Sequence, residues 1–223
     1  MGSAERIKSR LGAGGLELIE GAVARAEAGT SGEIVPFIAW QSDSYPEAEW
    51  KGAALGAAAA CLALFLLDWR QPLWHPLGFL LAVVLAGAAL GALAGRLLPP
   101  LRRRLIGRER LAAMVQRRAH EVFLHQELFK TVDRTGILVF FSLFERRAVV
   151  AADSGINAKV SPADWEQAVS RVIEAASGAG LAHGIAHAVD HCHGLLVKAG
   201  FKARPGDRNE LRDKPMIDGE DGR

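Results

Sequence analysis

The sequence is poor in cysteine and carries little excess of either charge. Its two cysteines, Cys61 in an apolar run and Cys192 in a late helical segment, have no evident pairing. We therefore expect no disulfide framework, which fits a reducing compartment. The formal net charge of +2 is too small to indicate nucleic acid as a partner. No apolar core follows the basic residues of MGSAERIKSR, so a signal peptide is not expected either.

Common catalytic signatures are also missing. The sequence has no cysteine followed by a phosphate-binding loop, no DxD, no Walker loop, and neither GxGxxG nor GxSxG. A phosphatase needs a nucleophile or a metal-activated water. An enzyme is therefore not the favoured interpretation.

Two long runs contain no charged side chain, namely Gly52–Leu67 and Leu77–Gly95. A bilayer core requires about 20 helical residues. The runs are flanked by Trp50, Trp69 and Trp74, and tryptophan favours the membrane interface. We expect a transmembrane hairpin over residues 50–98. Neither run has an internal ionisable group, so the hairpin is interpreted as an anchor rather than an ion pathway.

Basic residues indicate the orientation of this hairpin. The connector DWRQPLWHP holds Arg70 beside Asp68, whereas the opposite side holds Lys51 and an arginine cluster between Arg96 and Arg110. Lysine and arginine are enriched in cytoplasmic loops. We therefore expect a cell (inner) membrane protein with its soluble domain and both termini in the cytoplasm.

Glycines recur at four-residue spacing in both runs, at Gly52 and Gly56 and again at Gly87, Gly91 and Gly95. Small residues on one helix face allow two helix backbones to approach closely. The favoured interpretation is that the two helices pack on each other. The alternative is a dimerisation face, which would make the protein a homo-oligomer.

The flanking segments read as one soluble domain. Ala4–Ala28 has helical periodicity, and Glu33–Trp40 is prone to form a strand, although Pro36 argues against a central position in a sheet. Leu101–Lys130 predicts one long helix, with Leu111, Val115, Ala119 and Val122 on its apolar face.

The second flank predicts a β-hairpin followed by helices. Its strands are Gly136–Leu143 and Ala148–Ala152, and helices are expected after Ser161 and over Leu181–Ala199. The tail from Lys202 is predicted to be disordered. The fold class is then an α/β (α+β) layered sandwich, a small mixed sheet covered by helices. The domain occupies residues 1–49 and 99–201, with the transmembrane hairpin at 50–98 and the tail at 202–223.

Several short motifs resemble the TPM domain family, in its bacterial membrane-inserted branch. They are TSGEIVPFIA before the apolar runs, TVDRTGILVFFSLFERRAVVAADSGINAKV after them, and Asn209-Glu210-Leu211 in the tail. The resemblance implies a sandwich of helices around a small mixed sheet. It also implies an accessory role beside membrane complexes, or the acid phosphatase activity and divalent-metal binding proposed for plant thylakoid members.

Three clusters are candidate sites. Asp133 precedes one predicted strand and Asp153 follows its antiparallel partner, so these carboxylates, with Glu33, can converge on Ca²⁺ or Mg²⁺. The resemblance places these aspartates near the proposed metal or phosphate site. Arg134 and Arg146 are candidate phosphate ligands. The third candidate is a histidine stripe at helical spacing, which consists of His183, His187 and His191. Histidines so spaced can bind Zn²⁺, although the favoured interpretation is an ordinary polar surface that faces solvent.

The favoured function is an accessory, assembly or maintenance factor that is anchored in the bilayer and binds other membrane proteins. The alternative is a divalent-metal-dependent acid phosphatase that uses Asp133 and Asp153. The competing structural interpretation of these two aspartates is that they cap turns.

Overall fold

The computed structural model describes residues 2–70, 76–161, 163–165, 180–202, 211 and 214–220. The chain divides into two compact units. One consists of residues up to Ser42 together with those from Met114 onward, and the other runs from Asp43 to Ala113. The predicted transmembrane hairpin lies inside the second unit.

The order of elements follows the alternation of helical and extended patterns in the sequence. In chain order the elements are α1 (Ser3–Leu11), α2 (Gly15–Glu27), β1 (Glu33–Ala39), α3 (Glu47–Arg70), α4 (Leu77–Leu97), α5 (Pro99–Ile106), α6 (Arg108–His125), a 3-10 turn (Leu128–Lys130), β2 (Gly136–Ser142), β3 (Arg147–Ala152), α7 (Ser154–Asn157), α8 (Leu181–Lys198) and β4 (Met216–Ile217). The helix predicted after Ser161 lies mostly outside the described residues.

The four strands form a mixed sheet in the order β3-β2-β1-β4. β1 pairs in parallel with both β2 and β4, and β2 pairs antiparallel with β3. A small mixed sheet combined with helices, as predicted, is thereby confirmed.

Helices cover both faces of this sheet. Successive strand residues point to opposite sides, so one strand contributes side chains to two separate cores. Ile34 and Ile38 belong to a core shared with α1, α2 and α8. Val35 and Phe37 belong to a second core with α6. The ring of Phe37 stacks on that of Phe140, with centroids 5.6 Å apart. All seven residues of β2 are buried, as its continuous apolar pattern predicts.

Pro36 occupies the central strand, contrary to expectation, and the hydrogen-bond pattern explains how. The amide of Glu33 donates to Thr135 beside β2, whereas the carbonyl of Ile38 accepts from Asp218 beside β4. Even-numbered residues of β1 therefore direct their backbone groups away from β2. Since β4 pairs only with Phe37 and Ile38, proline removes no ladder bond at position 36.

Two further expectations are wrong in detail. The predicted helix Leu101–Lys130 is two helices, since Gly107 has a φ of 91° and separates α5 from α6. Part of the predicted disordered tail is ordered, because Met216–Ile217 form β4 and Ile217 is buried in the core. Residues 203–210, 212–213 and 221–223 lie outside the described part.

In the second unit, the glycines of α3 and α4 face one another. A Cβ added at Gly87 would lie 2.7 Å from the carbonyl oxygen of Gly56, and one at Gly95 2.5 Å from that of Ala48. Gly52 and Gly91 approach each other's carbonyl oxygens in the same way. The prediction that the two helices pack on each other is confirmed, and the small-residue faces are used within the chain.

Candidate functional site

The predicted acidic cluster lies at the end of the sheet where β1 and β2 begin and β3 ends. The amide of Asp153 donates to Gly136 at 2.9 Å, and that of Gly155 donates to Arg134 at 3.2 Å. On the other side, the hydroxyl of Thr135 donates to the carbonyl of Ser31 at 2.9 Å. The three chain segments that carry Glu33, Asp133 and Asp153 are thus neighbours. Antiparallel pairing of β2 with β3 brings the two aspartate segments together, and parallel pairing of β1 with β2 adds the Glu33 segment.

Asp153 is held by two partners at this end. Its side chain is only 5% exposed. Arg134 contacts both carboxylate oxygens, with Nε 2.8 Å from Oδ2 and Nη2 donating to Oδ1 at 3.0 Å. The same Oδ1 accepts from the amide of Ser154 at 2.6 Å, so Asp153 is the N-cap of α7. The capping role considered for Asp153 is therefore present, together with an ion pair that the sequence did not indicate.

Arg134 has an unusual backbone conformation and a second contact beside this carboxylate. Its φ of 56° is unusual for a residue other than glycine. Its guanidinium carbon lies 5.8 Å from the ring centroid of Phe129, within the range of a cation–π contact. Half of the Arg134 side chain, 52%, stays exposed, so the pair lies at the surface.

The remaining predicted acidic ligands differ in exposure. Glu33 is buried, whereas Asp133 is exposed. Across the described residues, no three histidine, cysteine, aspartate or glutamate side chains come close enough together to hold a metal ion. A Ca²⁺ or Mg²⁺ site at this end stays a prediction that would require rearrangement of the Asp153–Arg134 pair.

The two candidate phosphate ligands do not share a site. Arg146 lies in the turn between β2 and β3, at the opposite end of β2 from Arg134. β2 is seven residues long, which at about 3.4 Å per residue separates its ends by roughly 20 Å. One phosphate therefore cannot be bound by both arginines.

The histidine stripe lies on the outer face of α8. His183 and His187 are exposed, and His191 is half-buried, as predicted from the apolar face of this helix. Cys192 points the other way and is 1% exposed. Burial raises the pKa of the Cys192 thiol to about 12, so it stays protonated near neutral pH and is a poor metal ligand.

A buried polar cluster at the other end of the sheet escaped sequence reasoning. Glu145 is 5% exposed and accepts from the amide of Ser42 at 2.8 Å. The hydroxyl of Ser142 donates to the same carboxylate, and the hydroxyls of Ser42 and Ser142 lie 2.9 Å apart. The cluster lies just beyond the ends of β1 and β2, at the boundary of the first unit after Ser42. Ser42 is about a hundred residues away in sequence from Ser142 and Glu145, so no local motif indicates the complete cluster.

A cavity of about 350 Å³ lies beside β4. Arg118 and Asp218 form an ion pair at its wall, with Nη2 3.2 Å from Oδ1, and Phe37, His125 and Gly219 also line it. Sequence reasoning missed this cavity because it assigned the segment containing Asp218 to a disordered tail.

The two apolar helices of the second unit are long and apolar enough to cross a membrane. Only 6% and 0% of the 18 most apolar consecutive residues of each helix are buried, so these helices do not resemble core helices of a soluble protein. Large exposed side chains cover both helices; they include Leu55, Leu62, Phe65, Leu66, Leu81, Leu85, Leu90 and Leu93. Exposed apolar patches of this extent mark a surface that contacts lipid or protein.

No protein-family model and no curated protein matches the chain. Among solved structures, the chain is similar to the NMR structure of the BA42 protein from the psychrophilic bacterium Bizionia argentinensis. The two are 17% identical, with a TM-score of 0.57, and the match covers 96% of this chain and 99% of that one. At this identity, the likeness concerns the fold alone.

Proposed function

We propose that this chain is a membrane-anchored domain of the TPM type that faces the cytoplasm and binds other membrane proteins, assisting their assembly or maintenance. The observation that carries the proposal is the pair of lipid-compatible helices inserted between β1 and α6. The helix-covered mixed sheet agrees with the fold that the resemblance implies.

The anchor has the surface chemistry that a bilayer requires. The glycines of α3 and α4 lie between the two helices, and many of their leucines are exposed on the outer surface. This exposed apolar surface is suited to contact with lipid acyl chains. An N-terminal targeting segment removed on export is a poor alternative, because cleavage beyond α3 would remove β1 from the centre of the sheet.

Cysteine labelling tests the orientation. In a Cys61→Ala background, with the buried Cys192 left in place, Asp68→Cys reports on the connector end and Glu17→Cys on the sandwich. A membrane-impermeant maleimide added to spheroplasts should label Asp68→Cys, and should reach Glu17→Cys only after permeabilisation. Labelling of Glu17→Cys in intact spheroplasts would refute a cytoplasmic sandwich.

Crosslinking in native membranes tests the partner. The full chain, crosslinked and then purified in detergent, should carry one or a few integral membrane proteins at levels above those on an unrelated two-helix membrane protein. Purification without any such enrichment would count decisively against an accessory role. The experiment detects partners directly, so it does not depend on the orientation result.

The phosphatase remains the alternative function. The neighbouring positions of the chain segments bearing Asp133 and Asp153 support it. The ion pair between Asp153 and Arg134 opposes it, because a metal ion would have to displace the guanidinium.

A further inference from the structure

We propose that the basic end of the hairpin binds the phosphate groups of anionic phospholipids. This basic platform is defined as Lys51 together with residues 96–110. The inference rests on the proposed membrane anchoring. Anchoring alone names no ligand for the basic platform, and the inference assigns anionic phospholipids to it.

The platform is built on α5, a separate helix rather than the start of a longer one. Pro99 and Pro100 open α5, and Gly107 ends it. The amine of Lys51 donates to the carbonyl of Leu105 at 2.7 Å, near the end of α5. The Leu105 side chain lies 3.5 Å from the position that a Cβ would take at Gly95. These contacts fix α5 against both apolar helices of the hairpin.

Positive charge exceeds negative charge on the platform and the segments directly beside it. Four acidic side chains lie in the flanking segments 43–51 and 96–113, namely Asp43, Glu47, Glu49 and Glu109. Seven basic side chains lie in the same segments, namely Lys51, Arg96, Arg102, Arg103, Arg104, Arg108 and Arg110.

The ion pairs within the unit do not remove this excess. Arg110 lies 3.1 Å from Glu47 and 3.4 Å from Asp43, so one cation takes up two of the four carboxylates. Arg96 lies 3.9 Å from Glu49. Whatever the arrangement of the other side chains, four carboxylates cannot neutralise seven cations. The platform therefore attracts anions.

Apolar residues directly beside the arginines indicate which anion. Leu97 and Leu98 are 61% and 52% exposed, and Pro99 and Pro100 are exposed as well. An apolar segment that continues into arginines matches the boundary between acyl chains and headgroups. Guanidinium groups bind phosphate oxygens in a bidentate manner. The other end of the hairpin carries only Asp68 and Arg70 among its described charged residues, so we expect the preference at one end alone.

Native mass spectrometry of the full chain in detergent measures this preference. The probes are dioleoyl phosphatidylglycerol and dioleoyl phosphatidylcholine, titrated in competition. Wild-type protein should retain phosphatidylglycerol preferentially. Arg103→Gln/Arg104→Gln should lower that preference about 25-fold, since each basic residue near an anionic surface contributes roughly fivefold. Arg10→Gln/Arg25→Gln removes the same charge from α1 and α2, and should leave the preference unchanged.

A salt series keeps the test decisive if the double variant folds poorly. The wild-type preference should fall steeply between low and high ionic strength, because Arg–phosphate attraction at a surface is screened. A wild-type preference that is absent or independent of salt would overturn the inference. So would a folded Arg103→Gln/Arg104→Gln protein with full preference. Extraction of the wild-type chain from membranes by alkaline carbonate would instead overturn the anchoring itself.

Discussion

At the residue scale, Asp153 shows how a carboxylate that follows a strand can be buried at the end of the sheet. Its carboxylate caps α7 through the amide of Ser154 and pairs side-on with Arg134. A buried carboxylate is tolerated when its charge is paired. Arg134 adopts a left-handed backbone conformation at the same end of the sheet, which costs about 1 kcal/mol.

We predict that Asp153→Asn lowers the free energy of unfolding by about 1–2 kcal/mol, because the charge-assisted bonds to Arg134 are lost while the partly exposed arginine regains water. Urea denaturation in mild detergent measures the change. Asp133→Asn is the matched control, since that side chain is exposed, and its effect should stay within about 0.5 kcal/mol.

The same two variants examine the phosphatase alternative. If Asp153 holds a catalytic metal, Asp153→Asn should abolish phosphate-ester turnover in the presence of Ca²⁺ or Mg²⁺. If turnover is undetectable in the wild type, or unchanged in the variant, Asp153 is a structural residue. Equal stability losses for Asp153→Asn and Asp133→Asn would contradict the structural role.

At the element scale, α3 and α4 pack with their backbones in close contact at facing glycines. A Cβ at Gly56 would collide with the carbonyl of Gly87, whereas a Cβ at Gly78 would meet no atom within 4 Å. Both glycines lie in helices, where alanine is intrinsically favoured by about 1 kcal/mol. The two positions therefore separate helix propensity from helix packing.

We predict that Gly56→Ala lowers stability and that Gly78→Ala does not. Gly56→Ala should destabilise the hairpin by about 1–3 kcal/mol, because overpacking pushes the helices apart. Gly78→Ala should leave stability unchanged or raise it slightly. Thermal unfolding of the full chain in detergent compares them. A neutral Gly56→Ala would mean that the two helices do not approach as closely as described.

Elements with strong local patterns were predictable, and those set by distant contacts were not. The apolar run Ile137–Phe141 and the amphipathic face of Val115, Ala119 and Val122 became a buried strand and a buried helix face as expected. β4 was missed because two residues, Met216–Ile217, carry no periodicity, and their strand exists only through pairing with β1. The position of Pro36 in an interior strand was not predicted for a similar reason. Whether proline is tolerated there depends on which neighbouring strand the backbone at that position faces, and the sequence does not show this.

The candidate site was predictable only in outline. Antiparallel pairing of β2 with β3 placed Asp133 and Asp153 at one end, as reasoned from the sequence. The partner of Asp153 could not be foreseen, because Arg134 lies 19 residues away in sequence and no local pattern indicates the contact. The Ser42–Ser142–Glu145 cluster and the cavity beside β4 both join segments about a hundred or more residues apart.

At the scale of the whole molecule, the sandwich is complete without the hairpin. All four strands and both hydrophobic cores belong to the first unit. We predict that replacing residues 47–106 by a flexible linker of about 12 glycine and serine residues gives a soluble, folded protein, because such a linker spans roughly 20 Å without imposing a direction. Fractionation and cooperative urea unfolding measure both properties.

A variant of the shortened chain provides the control. Ile137→Asp places a charge in a fully buried position of β2 and should abolish folding of the shortened chain. If the shortened chain without this substitution also fails to unfold cooperatively, the sandwich depends on the hairpin.

The position of β1 in the sheet has a consequence for biosynthesis. β1 is translated before the two apolar helices, yet its partners β2 and β4 are translated after them, and β4 is the last element among the described residues. While α3 and α4 emerge from the ribosome, β1 has no strand to pair with. The sheet therefore closes only after both apolar helices have been synthesised, and a nascent chain stalled before residue 216 leaves the β4-facing edge of β1 unpaired. An unpaired strand edge is prone to aggregate, so the chain is most exposed to misassembly in that interval.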